Sequence, residues 1–285
     1  MTGRTRPRPA GVPSRARPPR SPLPIRALTA DVWFTLLYLR PRDQRELEAG
    51  RAAVWARPLV SAGLRGPAAN GWVARMQRWA SRAESLGRAP TIEAQAGWLA
   101  RRAGEPVDAN AVGEELDTLV LAARVRVADG VTGALGKLRD EGLSLGIVSN
   151  VLHETARGAR RLLDAAELAP YFRAIILSSE HPWSKPRPEP FRAALRELGV
   201  RADAAVHVGD LAYDVRGARR AGMAPILFTG LHRWEPSHLR ALASDVDPSV
   251  PRLRRWADAS QVVRELAGPP RAAVRRSSRE RAPDP

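Results

Sequence analysis

The sequence predicts an α/β protein, a doubly wound parallel sheet with an all-helical segment inserted after its first strand. Three observations carry this. From about residue 129 onward, short apolar runs alternate with amphipathic stretches, the rhythm of strands and covering helices. A single strand-like run, Ile25 to Ala30, stands alone before some ninety residues of helical pattern, 38 to about 128. Finally, polar residues suited to chemistry stand at the ends of four predicted strands, where ligands bind in sheets of this kind. Right-handed crossovers would complete a Rossmann-like layer covered on both faces.

Residues 1–24 hold seven prolines and many arginines, too little apolar surface to offset the entropy of ordering, and are expected to be disordered. The first strand then ends at Asp31. In the helical block, Trp72, Met76 and Trp79 fall on one helix face and are expected to be its core. A helix is predicted over 131–141, stopped by Gly142, and a buried strand over Leu143–Val148. A helix over 151–168 follows, then a strand at Ala174–Leu177 and a helix over 188–198 ending at Gly199. A strand at Ala204–Val208, a helix over 213–221 and a last strand at Pro225–Phe228 complete the sheet, with a terminal helix at 258–267. The expected division is an α/β core of 25–37 and 129–268, a helical cap of 38–128, and a disordered basic tail of 269–285.

Composition narrows the function classes. The chain has 285 residues, 44% hydrophobic and 27% charged, so it can bury a real core. With no cysteine, it has neither disulfides, thiolate metal sites nor a cysteine nucleophile. No apolar run reaches the roughly 20 residues of a membrane span, and no apolar leader opens the chain, so a cytoplasmic protein without membrane partners is expected. The formal charge of +16 is concentrated at the ends: residues 1–26 carry seven arginines and no acid. Neither tail interleaves aromatics among its arginines, and no nucleic-acid partner is expected.

The four strand ends read, in order, Asp31-Val32-Trp33-Phe34-Thr35-Leu36; Ser149-Asn150; Lys185-Pro186-Arg187-Pro188; and Gly209-Asp210-Leu211-Ala212-Tyr213-Asp214. Taken together over about residues 25–230, they resemble the haloacid dehalogenase-like hydrolase superfamily, in the group with a helical cap after the first motif. The resemblance implies an Asp31 nucleophile that takes a phosphoryl group, with Ser149 and Lys185 assisting. The phosphate would be met by Thr35, Ser149, Asn150 and Lys185. A Mg²⁺ ion would be held by Asp31, the backbone carbonyl of Trp33, Asp210 and Asp214, hard oxygen donors of the kind that ion takes. The substrate would be a phosphorylated small molecule.

One position departs from the pattern. Phosphatases of this superfamily carry a second aspartate two residues after the nucleophile, which protonates the leaving oxygen and later activates water. Here that residue is Trp33, which has no titratable proton. Dehalogenases of the superfamily also lack that aspartate but usually replace the carboxylate at position 210 with an amide. A carbon–halogen hydrolase and a catalytically weak binding protein therefore stand as alternatives. The phosphonatase branch, which needs a cap lysine, does not fit, because 38–128 contains none.

Overall fold

The computed structural model describes residues 24–234 and 246–267. Apart from Pro24, the two tails expected to be disordered lie outside the described residues. The first strand, β1 (Ala27–Ala30), leads through a tight turn to β2 (Leu37–Tyr38). Four helices follow: α1 (Pro41–Ser61), α2 (Gly66–Ser85), α3 (Ile92–Ala103) and α4 (Ala109–Ala122). The chain returns through β3 (Arg126–Val127), which pairs antiparallel with β2, so one two-stranded ribbon carries both crossings to the helical insertion. The remainder alternates: α5 (Val131–Asp140), β4 (Ser144–Ser149), α6 (Ala156–Ala165), β5 (Ala174–Leu177), α7 (Glu189–Leu198), β6 (Ala205–Gly209), α8 (Ala212–Ala221), β7 (Ala224–Phe228), β8 (Arg252–Leu253) and α9 (Ala259–Ala267).

The main sheet has the order β5-β4-β1-β6-β7-β8, and every pairing in it is parallel. β1 lies between β4 and β6, which brings three of the four strand ends side by side. Alternation along β1 decides the two faces. Leu28 and Ala30 enter one apolar cluster with Leu135, Leu138, Val206 and Val208, while Ala27 enters the other with Val148, Ile176 and Phe191. Both faces are therefore buried, as a doubly wound sheet requires.

The insertion has its own core. Met76 is fully buried there with Trp55, Leu59 and Leu99, and Trp72 and Trp79 pack against it. Trp79 stacks on Trp98 at 5.8 Å. The aromatic stripe is thus packing, as its spacing suggests. Among the described residues no helix is long and apolar enough to cross a membrane.

Three local expectations need correction. The long helical block is interrupted, and its ends are strands, because residues 37–38 and 126–127 pair across the insertion. The helix after Ser149 begins at Ala156 rather than 151, since Thr155 is its N-cap and accepts from Gly158 N at 3.1 Å. The strand over Pro225–Phe228 is not the last: β8 pairs parallel with β7, and its two residues are too few to show alternation in sequence.

Candidate active site

The turn after β1 sets the geometry. Asp31 N donates to Val208 O at 2.9 Å, which fixes the residue against β6. Val32 O then accepts from both Leu36 N and Leu37 N at 2.9 Å, and Phe34 sits at φ 55°. For a bulky L-residue that left-handed conformation costs roughly 1–2 kcal/mol. The turn aims its side chains in different directions. Thr35 Oγ1 donates to Asp210 Oδ1 at 3.0 Å, and Trp33 Nε1 donates to Glu154 Oε1 at 3.0 Å. From far along the chain, Trp256 Nε1 donates to Thr35 O at 2.8 Å and holds the turn from behind.

Lys185 is the centre of the charged cluster. Its Nζ lies 2.8 Å from Asp31 Oδ1 and 2.7 Å from Asp214 Oδ1, and all three side chains are buried. Asn150 fixes the lysine backbone from both sides: Lys185 N donates to Asn150 Oδ1 at 2.8 Å, and Asn150 Nδ2 donates to Lys185 O at 3.2 Å. Asp214 is held as firmly. Its Oδ2 accepts from Leu211 N at 3.0 Å, and its Oδ1 lies 3.1 Å from His207 Nε2. His207 Nδ1 is in turn 2.8 Å from Thr29 Oγ1, its direct partner across β1 and β6. This side-chain placement needs a glycine at 209, because a Cβ there would lie 2.2 Å from Asp214 Cγ. Ser149 is buried at the end of β4, the strand that pairs with β1, and its Oγ donates to Asn150 O at 3.5 Å.

These contacts decide the charge states. Burial alone would lower the Lys185 ammonium, but Asp214 and Asp31 outweigh it and raise it, so the lysine stays charged. Burial likewise works against ionisation of Asp214, yet Lys185 and His207 prevail and hold that carboxyl well below the usual range. Asp31 is raised by burial, with Lys185 opposing and Asp214 adding to the rise.

Oxygens of Asp31, Asp210 and Asp214 all lie within 4.8 Å of one another, and all three residues are buried. Three carboxylates against one lysine leave an excess of negative charge that a divalent cation would offset. The donor set is all oxygen, which suits a hard cation such as Mg²⁺. Among the described residues, the Trp33 carbonyl accepts no backbone hydrogen bond.

The insertion supplies the other wall. Arg51 of α1 pairs with Glu154 at 3.0 Å, so the carboxylate that receives the Trp33 indole also binds the insertion. His153 is lowered to about 3, by burial first and then by Arg51. Glu84 of α2 is pushed up to about 7 by burial first, with Lys185 opposing and Asp31 adding to the rise. Beside Trp33 lies a cavity of only about 10 Å³, lined by Val32, Ser149, Val151 and Glu154 among others, scarcely room for one water. A larger surface recess of about 370 Å³ between α1 and α2 is lined by alanines, Asn70, Val73 and Gln77, away from the carboxylates.

A family model for haloacid dehalogenase-like hydrolases matches residues 31–222. The chain belongs to that family. It is 31% identical over 140 residues to a phosphoglycolate phosphatase of Caulobacter vibrioides, covering 47% of this chain and 58% of the relative. It is 34% identical over 138 residues to a glyceraldehyde 3-phosphate phosphatase of Methanopyrus kandleri, covering 48% and 56%. The chain thus spans little more than half the length of these curated relatives. Among solved structures, a 2-haloacid dehalogenase of Pseudomonas syringae pv. Tomato superposes with a TM-score of 0.59 at 22% identity, covering 85% of this chain and 99% of that one. A HAD phosphatase of Thermococcus onnurineus superposes at 0.56 and 20% identity, covering 84% and 98%. At such identities the two structures share the HAD fold with this chain.

The residues singled out in the sequence converge, with two refinements. Thr35 lies in the site, but its hydroxyl proton is committed to Asp210. Ser149 is not followed by a helix start, so no helix N-terminus stands immediately behind it. Sequence reasoning missed the parts played by Thr29, His207, Trp256, Glu154 and Arg51. For His207 a signal existed: a histidine between Val206 and Val208 in a fully buried strand needs a polar partner.

Proposed function

We propose that this HAD-family chain is a Mg²⁺-dependent phosphohydrolase that takes a phosphorylated small molecule and passes its phosphoryl group through Asp31. A cytoplasmic location is part of the same reading. The observation that carries it is the convergence of Asp31, Asp210 and Asp214 around one lysine. The phosphatase names of the curated relatives support the substrate class.

Asp31, Asp210 and the Trp33 carbonyl would hold the ion, with Asp214, already occupied by Lys185, His207 and Leu211, reaching it through water. When bound, Mg²⁺ offsets charge between the nucleophile and the phosphoryl oxygens. Asp31, at the strand tip, attacks phosphorus and becomes an aspartyl-phosphate. Lys185 stays charged against the phosphoryl oxygens, and Asn150 fixes its backbone. Ser149 offers its hydroxyl from the end of the strand beside β1. Thr35 orients Asp210. The four inserted helices act as the cap that selects the substrate.

Carbon–halogen hydrolysis is the second reading, favoured by Trp33 at the position of the acid. The test is a screen of the purified protein on phosphorylated and halogenated compounds, with and without Mg²⁺. The proposal expects phosphate release that needs Mg²⁺ and disappears in Asp31→Asn. Halide release without metal, and no phosphate release, would replace it with the second reading.

A further inference from the structure

The segment 152–155, between β4 and α6, belongs as much to the insertion as to the sheet. Gln95 of α3 donates through Nε2 to Leu152 O at 2.8 Å. Arg51 of α1 donates through Nη2 to Glu154 Oε2 at 3.0 Å. Asp117 of α4 accepts from Thr155 N at 2.8 Å and from Thr155 Oγ1 at 2.6 Å. Three of the four inserted helices thus grip one short stretch of the core, and Gln95, Asp117 and Glu154 are all buried. The fit is close: a Cβ at Gly158 would lie 2.1 Å from Asp117 Oδ1. A displacement of the insertion therefore carries 152–155 with it.

Glu154 extends that grip to the nucleophile turn. Its Oε1 accepts from Trp33 Nε1 at 3.0 Å, while Oε2 meets Arg51. Among the described residues these are its two partners, and Arg51 is the cation that neutralises it. The dependence is mutual, since Arg51 Nε is buried without a partner and Glu154 is the carboxylate with which the guanidinium pairs. A buried ionised carboxylate is tolerated only while it is paired. With the Arg51 charge withdrawn, Glu154 would turn toward water and leave the indole N–H without its acceptor. Trp33 stands between Asp31 and Phe34, the residue at φ 55°. The bonds from Thr35 to Asp210 and from Trp256 to Thr35 O act beyond Phe34. Glu154 grips the turn on the other side of that strained residue, next to the nucleophile.

We propose that Glu154 is a positioning residue through which the docked insertion sets the nucleophile turn. Arg51 holds Glu154, Glu154 holds the Trp33 indole, and the attacking position of Asp31 depends on that chain being whole. This rests on the phosphohydrolase reading above, in which Asp31 is the nucleophile. Neither Glu154 nor Arg51 needs to touch the substrate to act in this way. The seating of the insertion is thereby felt at the reacting carboxylate, by a route separate from any contact the insertion makes with substrate.

The experiment compares wild type, Arg51→Met, Arg51→Lys, Trp33→Phe and the Arg51→Met/Trp33→Phe double variant, with thermal melts as the folding control. The first reading is the indole N–H spectrum of the ¹⁵N-labelled full chain without substrate. The resonance missing from Trp33→Phe belongs to Trp33. It should move upfield in Arg51→Met, as the N–H loses its carboxylate, and return toward the wild-type position in Arg51→Lys, which restores the charge. The second reading is steady-state kinetics on 4-nitrophenyl phosphate with Mg²⁺. Arg51→Met and Trp33→Phe should each lower kcat by about 10–10²-fold and change KM by less than about threefold, because a misplaced nucleophile costs rate rather than binding. The double variant should fall below the poorer single variant by no more than about twofold, since either change already breaks the chain.

An indole resonance that stays in place in Arg51→Met would overturn the proposal. So would losses in kcat that multiply in the double variant, or a raised KM with unchanged kcat, which would make Arg51 a substrate-binding residue. Each of these leaves the phosphohydrolase reading intact. If Arg51→Met does not fold, Glu154→Gln, which removes the charge that both partners meet, takes its place in the same cycle with the same deciding outcomes. A wild type that releases no phosphate overturns the phosphohydrolase reading itself. The positioning role is then judged on the resonance, where a shift reversed by Arg51→Lys supports it and an unmoved line overturns it.

Discussion

Replacing Lys185 with methionine isolates the charge balance at the heart of this site. The substitution keeps the bulk of the side chain and removes the ammonium that lies 2.8 Å from Asp31 and 2.7 Å from Asp214. Two buried carboxylates then face each other without their cation. Removing one partner of a buried ion pair costs roughly 3–5 kcal/mol. For a chain of this size each kcal/mol shifts Tm by about 2–4 °C, so Lys185→Met should melt about 6–20 °C below wild type at neutral pH without metal. The pH dependence follows from the directions of the shifts. Asp214 is held low by Lys185 and His207, so its contribution to wild-type stability is complete above the usual carboxylate range and lost only as pH falls through its lowered value. In the variant, burial and mutual repulsion raise both carboxyls, and a raised carboxyl favours folding once protonated. The gap between variant and wild type should therefore be widest at neutral pH and close on acidification. Adding Asp214→Asn should restore part of the loss, since it removes one of the two stranded charges. Thermal melts across a pH series read all of this. A variant that melts with the wild type at neutral pH, or a gap indifferent to pH, would refute the charge-balance reasoning.

Two other substitutions probe the supports of the site. Gly209→Ala places a methyl where Asp214 packs, 2.2 Å from its Cγ, and should displace that carboxylate, lowering both Tm and phosphate release; an alanine variant with wild-type turnover would show that Asp214 has another place to go. Trp256→Phe keeps the ring but leaves the buried Thr35 carbonyl without its donor, which should lower stability by about 1–3 kcal/mol in denaturant melts; a loss well under that range would mean the turn does not depend on the indole.

The parts legible in the sequence were those with local signals. Asp31 and Asp210 stand just beyond the ends of β1 and β6, Asp214 lies in the first turn of α8 and Lys185 farther on in the segment after β5, and the parallel sheet brings these segments together whatever the chain separation. The periodicity of 131–140 and 189–198 likewise marked helices close to their observed bounds. Other features depend on pairings that a linear pattern does not carry. Thr29 and His207 meet only because β1 and β6 are neighbours in that register. Trp256 reaches Thr35 across 221 positions of chain. The turn that ends α2 has no motif around it, and its backbone is held by Ser184. The start of α6 was missed for a different reason. Residues 151–155 have helix-compatible composition, but Val151 N is taken by Ser178 Oγ at 2.8 Å, and Thr155 makes a better cap.

The central claim is that the substrate's phosphorus, and not a carbon atom, is transferred to Asp31. A single turnover in water enriched in heavy oxygen, with enzyme in excess over substrate, tests it most directly. If water attacks phosphorus, the heavy oxygen is recovered in the released phosphate, and the peptide containing Asp31 keeps its original mass. If Asp31 instead forms an ester with carbon, water attacks the carboxyl carbon, and the label appears in the Asp31 side chain. The account predicts labelled phosphate and unlabelled Asp31; label in Asp31 would contradict it.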